Sequence, residues 1–299
     1  MKICRFNDDR IGLVRGEVVF DITDIAIGVG IGAPQRADGD PLVSHLPALA
    51  ARAKGDLHGA ASIPLRDVYL ETPVRFPTKI IGAGSNYPNH KREMAKVRDP
   101  AVKGYDLYGD GVFLKANSSL SGPADPIRIR FPERQTQHEV ELVIVIGQPC
   151  ADVPPERALE VVAGYCLGLD ITMRGKEERS LRKSFDTYSV LGPWITTADE
   201  VGDPGSVDIA LDVNGAERQS DLVSSMIVDS AAIVSFASRF YTLSPGDLIY
   251  TGTPAGTGPI CAGDRVTARS SKLGSFEIPV FRWSSQSSTV KSEAVEPQR

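Results

Sequence analysis

Histidine and cysteine are scarce, four of each in 299 residues, and Cys4, Cys150, Cys166 and Cys261 fit neither zinc-ligand spacing nor a disulfide framework. No apolar run approaches membrane-spanning length, and residues 1–10 are charged throughout with no signal-peptide core. These absences predict a reducing, cytoplasmic setting away from membranes. Positive charge is short as well. The 33 Lys and Arg residues against 38 Asp and Glu leave a net charge of -5, no footprint for nucleic acid or an anionic membrane. An anionic substrate must then be drawn in locally, by a metal or a few placed cations. Two catalytic signatures are also missing. Gly28, Gly30 and Gly32 lack the G-x-G-x-x-G spacing, with Pro34 where a helix should open, and no Gly-x-Ser-x-Gly elbow occurs, which disfavours a serine nucleophile.

What remains is ordinary globular material, 41% apolar and 24% charged, long enough for one large domain or a main domain with an appendage. Residues 2–22 read as a β meander, and Leu42, Leu46, Leu49 and Ala50 give helical spacing over 42–54, ended by Gly55. Thr72-Pro73 and Pro77 mark a boundary. The expected division is a small N-terminal α+β domain over 1–74, a β-rich catalytic domain over 75–283 and a disordered Ser/Glu/Gln-rich tail over 284–299.

The chain is organised around His138-Glu139-Val140-Glu141 and the β-branched run Leu142–Ile146. Side chains on a strand alternate, so Glu139 and Glu141 point the same way at the mouth of a strand covered on both faces. Asp170 ends a second apolar run. Adjacent buried carboxylates need positive charge, and three of them suggest a hard divalent cation, Mg²⁺, Mn²⁺ or Ca²⁺, held by oxygen ligands. A solvated strand end is the ordinary alternative for a lone Glu-x-Glu.

Asn86 or Asn89 can cap a helix with Pro88 in its first turn, setting His90 and Glu93 at i, i+3 as a water-activating dyad or as a routine surface ion pair. Residues 95–111 are polar and turn-rich, read as a lid or as a solvated loop. Pro154-Pro155 starts a helix through Val162, and the charged stretch 171–184 reads as a solvated helix face from whose end Lys183 can swing back to the carboxylates. Asn214-Gly215 signals a type I′ hairpin, and Asp229 caps a helix with Ile233, Val234, Ala237 and Phe240 on its apolar face. The loop 251–258 offers amides and hydroxyls that could cradle an anion.

These motifs occur in one order: Asn86-Tyr87-x-x-His90-x-x-Glu93, His138-Glu139-x-Glu141, Asp170, Lys183-Ser184-Phe185-Asp186, Leu191-Gly192-Pro193-Trp194, Asn214-Gly215 with Gln219, and Thr251-Gly252-Thr253-Pro254. The set resembles the fumarylacetoacetate hydrolase domain family over roughly residues 75–282. The resemblance implies a β-sandwich and β-roll fold, a homodimer, a metal on Glu139, Glu141 and Asp170, a His90–Glu93 base, Lys183 beside the substrate, and substrate contacts from Thr253, Arg174 and Tyr87. The acidic metal ligand that larger eukaryotic members carry before the catalytic histidine is absent from Ala83-Gly84-Ser85-Asn86-Tyr87. That implies the shorter, acylpyruvase-like branch, cleaving a 2,4-dioxo acid to pyruvate and a carboxylic acid. Decarboxylation of an oxaloacetate-like acid, isomerisation of a 2-hydroxy-diene-dioate, and metal binding without catalysis are the alternatives.

Overall fold

The computed structural model describes residues 1–31, 39–55, 57, 59–97 and 104–284. The fold is mixed α+β and strand-rich, as expected, and among the described residues none of the three sheets closes on itself. The central twelve-stranded sheet is built on Val140–Ile146, all seven residues buried, with Val162–Asp170 antiparallel to it and Ser189–Thr197 antiparallel to that. Val140, Leu142, Ile144 and Ile146 pack into one apolar cluster and Val143 and Val145 into another, so the β-branched run is covered on both faces. A five-stranded sheet carries the Asp208–Val213 and Ala216–Leu222 hairpin, turned at Asn214 and Gly215, both with positive φ.

Strand polarity decides where the functional loops emerge. Leu248–Tyr250 runs parallel to Ile80–Gly82 and antiparallel to Val140–Ile146. The segments after Gly82 and Tyr250 therefore leave the sheet at the end where Val140–Ile146 begins and Val162–Asp170 finishes. Asp170 N donates to Glu139 O at 2.8 Å, which sets the third acid beside the first two. Gly168, opposite Glu141, is needed for close approach, since a Cβ there would lie 2.4 Å from Val143 Cγ2 and 2.7 Å from Tyr250 Cε1.

The N-terminal meander joins this same sheet, Lys2 pairing with Thr196 and Ile3 with Ile195. Several local expectations are corrected. The helix expected over 42–54 is two, Pro41–Ser44 and Leu46–Gly55, because Pro47 has no N–H to continue the first. Residues Pro155–Val161 are 3-10 rather than α-helical, and the charged stretch holds only the strand Thr172–Met173 and one turn of helix, Arg179–Arg182. In the helix Ser230–Phe240, Asp229 accepts from Ala232 N and Ile233, Val234 and Ala237 are buried, but Phe240 is exposed. Of the expected lid over 95–111, residues 95–97 end the helix Pro88–Val97 and Leu107–Asp110 are helical, and residues 98–103 lie outside the described residues, as do 285–299 of the expected tail.

Candidate active site

Oxygens of Glu139, Glu141 and Asp170, all buried, lie within 4.8 Å of one another. Lys183 sits among them. Its Nζ donates to Glu139 Oε2 at 2.7 Å, to Thr172 Oγ1 at 2.7 Å and to one oxygen of Asp170. Burial works against the charged ammonium, yet Asp170 and Glu139 outweigh it and hold the Lys183 pKa above its ordinary value. Glu139 is likewise opposed by burial, but Lys183, then Arg174, bring it down to about 2. Glu141 goes the other way. Gly252 N donates to it at 2.8 Å, but burial and then the negative charge of Asp170 raise its proton affinity well above normal. A buried carboxylate left under-compensated beside two others is an oxygen donor set suited to a hard dication, so these residues fit a divalent metal.

His90 opens into the same cavity, from the helix Pro88–Val97. Its Nδ1 donates to Glu93 Oε2 at 3.3 Å, and Glu93 in turn accepts from Gly256 N at 3.2 Å. The loop 251–258 thus turns its amides toward the protein's own carboxylates, Glu141 and Glu93, where an anion cradle was expected. Gly252 and Gly256 have positive φ, and a Cβ on Gly256 would lie 2.0 Å from Arg218 O. Asn86 does not cap the helix. Its amide instead donates to Val228 O and Thr251 O, both at 2.9 Å, tying the histidine segment to that loop.

Thr253 lines the cavity with its hydroxyl already engaged, donating to Val140 O at 2.8 Å and accepting from Gln219 Nε2 at 2.7 Å. Arg174 also lines it, Nη2 donating to Glu139 Oε1 at 3.1 Å and Nε to Gln137 Oε1 at 2.6 Å. Tyr87 is the exception among the expected site residues. Its ring is fully buried in the core and is not part of the wall of this cavity of about 650 Å³. Sequence reading missed Lys115, whose buried Nζ donates to Asp170, and assigned no role to Gln219, which links His138 to Thr253. Lys115 carried one signal, a Lys closing the apolar run Val112-Phe113-Leu114, whereas Gln219 stands among the polar residues Glu217, Arg218, Ser220 and Asp221 and carried none.

The family model for the fumarylacetoacetate (FAA) hydrolase C-terminal domain matches residues 79–281. The chain belongs to the fumarylacetoacetate hydrolase family. Among curated relatives, the maleylpyruvate hydrolase of Aquipseudomonas alcaligenes is 45% identical over 287 residues, covering 94% of this chain and 99% of that one. Among solved structures, the maleylpyruvate hydrolase of Sphingobium sp. SYK-6 in complex with manganese(II) and pyruvate superposes with a TM-score of 0.80 at 36% identity, covering 95% of this chain and 100% of that one. The 5-carboxymethyl-2-hydroxymuconate delta-isomerase of Mycobacterium smegmatis follows the same fold with a TM-score of 0.71 at 31% identity, again over 95% and 100%. As a fumarylacetoacetate hydrolase family member of this branch, the protein is a metal-dependent hydrolase of carbon–carbon bonds. Among the described residues no helix is long and apolar enough to cross a membrane.

Proposed function

We propose that the protein hydrolyses an acylpyruvate of the maleylpyruvate type, a 2,4-dioxo acid, to pyruvate and a carboxylic acid. The observation that carries this is the shared cavity: a histidine oriented by Glu93 faces the same space as Glu139, Glu141 and Asp170. Those three carboxylates are the proposed ligands of Mg²⁺ or Mn²⁺. A dication there supplies positive charge that stabilises the electron-rich 2-oxo oxygen as the bond breaks.

His90 takes a proton from a water through Nε2, with Nδ1 held by Glu93, and the water oxygen adds to the 4-oxo carbon. The C3–C4 bond then breaks, its electron pair passing into the pyruvate enolate, and the proton on His90 returns to C3. Lys183, kept charged by its carboxylate partners, adds electrostatic stabilisation beside the developing enolate. Arg174, lining the cavity beside Glu139, orients the pyruvate carboxylate, while Thr253, its hydroxyl donated to Val140 O, shapes the same wall without a free donor. Tyr87, out of the cavity, supports the helix of His90 from the core.

The isomerase relative keeps a second reading in view, an enol-to-keto shift that needs no attacking water. Coupled detection of pyruvate separates them. With Mg²⁺ or Mn²⁺ present, one pyruvate is expected per acylpyruvate consumed, and His90→Ala lowers the rate by about 10²–10⁴-fold. A spectral change in the substrate with no pyruvate, or oxaloacetate decarboxylated faster than any acylpyruvate is cleaved, would refute hydrolysis. We further propose a homodimer, in keeping with the family, and a cytoplasmic location, supported by four free cysteines. Light scattering on the purified chain tests the first.

A further inference from the structure

The chemistry at the acidic end of the cavity uses neither of two guanidinium groups farther along its wall, Arg179 and Arg182, on the helical turn Arg179–Arg182. The guanidinium carbon of Arg179 sits over the Tyr105 ring, 4.0 Å from its centroid, and the group has no carboxylate at ion-pair distance among the described residues. A cation–π contact of that kind holds a guanidinium in place and leaves N–H donors for a planar anion. Arg182 is anchored through the backbone, Nε donating to Glu177 O at 2.7 Å and Nη1 to Met173 O at 3.3 Å. The nearby Glu177 carboxylate is already held by both terminal nitrogens of Arg134 at 2.8 Å. Burial, then the positive charges of Arg174 and Arg179, depress the Arg182 pKa, and Glu139 and Glu177 offset this only in part. In a chain of net charge -5, three arginines gathered on the wall of one cavity, Arg174, Arg179 and Arg182, suit an anionic ligand.

We propose that Arg179 and Arg182 bind a second carboxylate, at the distal end of the substrate, so that the enzyme selects 2,4-dioxo diacids over acylpyruvates that end in an alkyl group. This rests on the reading that the substrate is a 2,4-dioxo acid. The distal carboxylate takes no part in bond breaking and leaves with the acid product, which makes both arginines specificity residues.

The test compares maleylpyruvate with acetylpyruvate as substrates of the metal-loaded wild type and of Arg179→Met, Arg182→Met and Arg179→Lys. The wild type is expected to favour the diacid in kcat/KM by tenfold or more, and each Met variant to lose at least tenfold of that ratio, chiefly through KM. Arg179→Lys should recover part of it. Calorimetric titration with maleate supplies a readout without turnover, and its affinity should fall in the Met variants. Pyruvate release with an unchanged diacid ratio and unchanged maleate affinity would overturn the arginine site and leave the hydrolase reading standing. Maleate binding that depends on both arginines, with no pyruvate from either substrate, would do the reverse.

Discussion

Lys115 and Asp170 form an ion pair beneath the site, with the ammonium fully buried, donating also to Tyr188 O at 2.9 Å and lying 4.9 Å from the Tyr250 ring centroid. Lys183 takes the other Asp170 oxygen, so this carboxylate is clamped from two sides. Burial, only partly offset by Asp170, lowers the Lys115 pKa. Lys115→Met removes the rear clamp. Loss of one partner from a buried pair should destabilise the protein by about 3 kcal/mol, read by urea unfolding. Metal affinity should fall by about 10–100-fold, read by calorimetry, since a group that orients a ligand is being removed. Unchanged metal affinity would mean that Asp170 does not need the clamp.

Metal binding should release protons. Glu141 holds its proton above the ordinary 4.5 through burial and then the charge of Asp170, whereas Glu139, at about 2, is already ionised. A cation must displace the Glu141 proton, so affinity rises with pH until that carboxyl ionises by itself. Calorimetry in buffers of different ionisation enthalpy measures the proton count, and heats independent of buffer would contradict it. In metal-free protein the signs follow from linkage. The Glu141 contribution to stability is complete below 4.5 and is lost as pH rises through its raised folded value, while that of Glu139 is present above 4.5 and is lost as pH falls toward about 2.

Gln219 serves four partners from one buried amide. Its oxygen accepts from His138 Nδ1 at 3.0 Å and Val140 N at 3.1 Å, and its nitrogen donates to Thr253 Oγ1 at 2.7 Å and Pro254 O at 2.8 Å. Burial lowers the His138 pKa, so the ring is neutral at pH 7 and the bond to Gln219 selects its tautomer. Gln219→Leu leaves the buried donors of His138 and Val140 unpaired on either side of Glu139. A loss of about 2–4 kcal/mol is expected in urea unfolding, with a raised KM as Thr253 loses its anchor. Gln219→Glu keeps the acceptor and should cost less at low pH, where the carboxyl is protonated.

Thiol chemistry should be confined to the surface. Cys261 is exposed, whereas Cys4 and Cys166 are buried and burial pushes the Cys4 thiol up to about 12. Alkylation with iodoacetamide at pH 8, mapped by mass spectrometry, should label Cys261 in the native state and reach Cys4 and Cys166 only after unfolding.

Local rules were enough to read the strand Val140–Ile146, the i, i+3 pairing of His90 with Glu93 and the Asp229 cap, since each is set by backbone periodicity within a few residues, whereas Glu139 lies outside that strand, at the junction between Thr136–His138 of the three-stranded sheet and Val140–Ile146, and strand alternation does not by itself place it beside Glu141. Lys115 reaches across 55 positions to Asp170 and His138 across 81 to Gln219, and nothing near either residue marks its partner. Those meetings follow from strand order and polarity, above all the parallel pairing of Leu248–Tyr250 with Ile80–Gly82, which sets which loops share an end of the sheet. The same packing took Tyr87 out of the cavity and turned the amides of Gly252 and Gly256 onto Glu141 and Glu93. Residue type and spacing decided which acids and bases this protein has, whereas the free energy of burying them together, possible only in the assembled sheet, decided which groups compensate which.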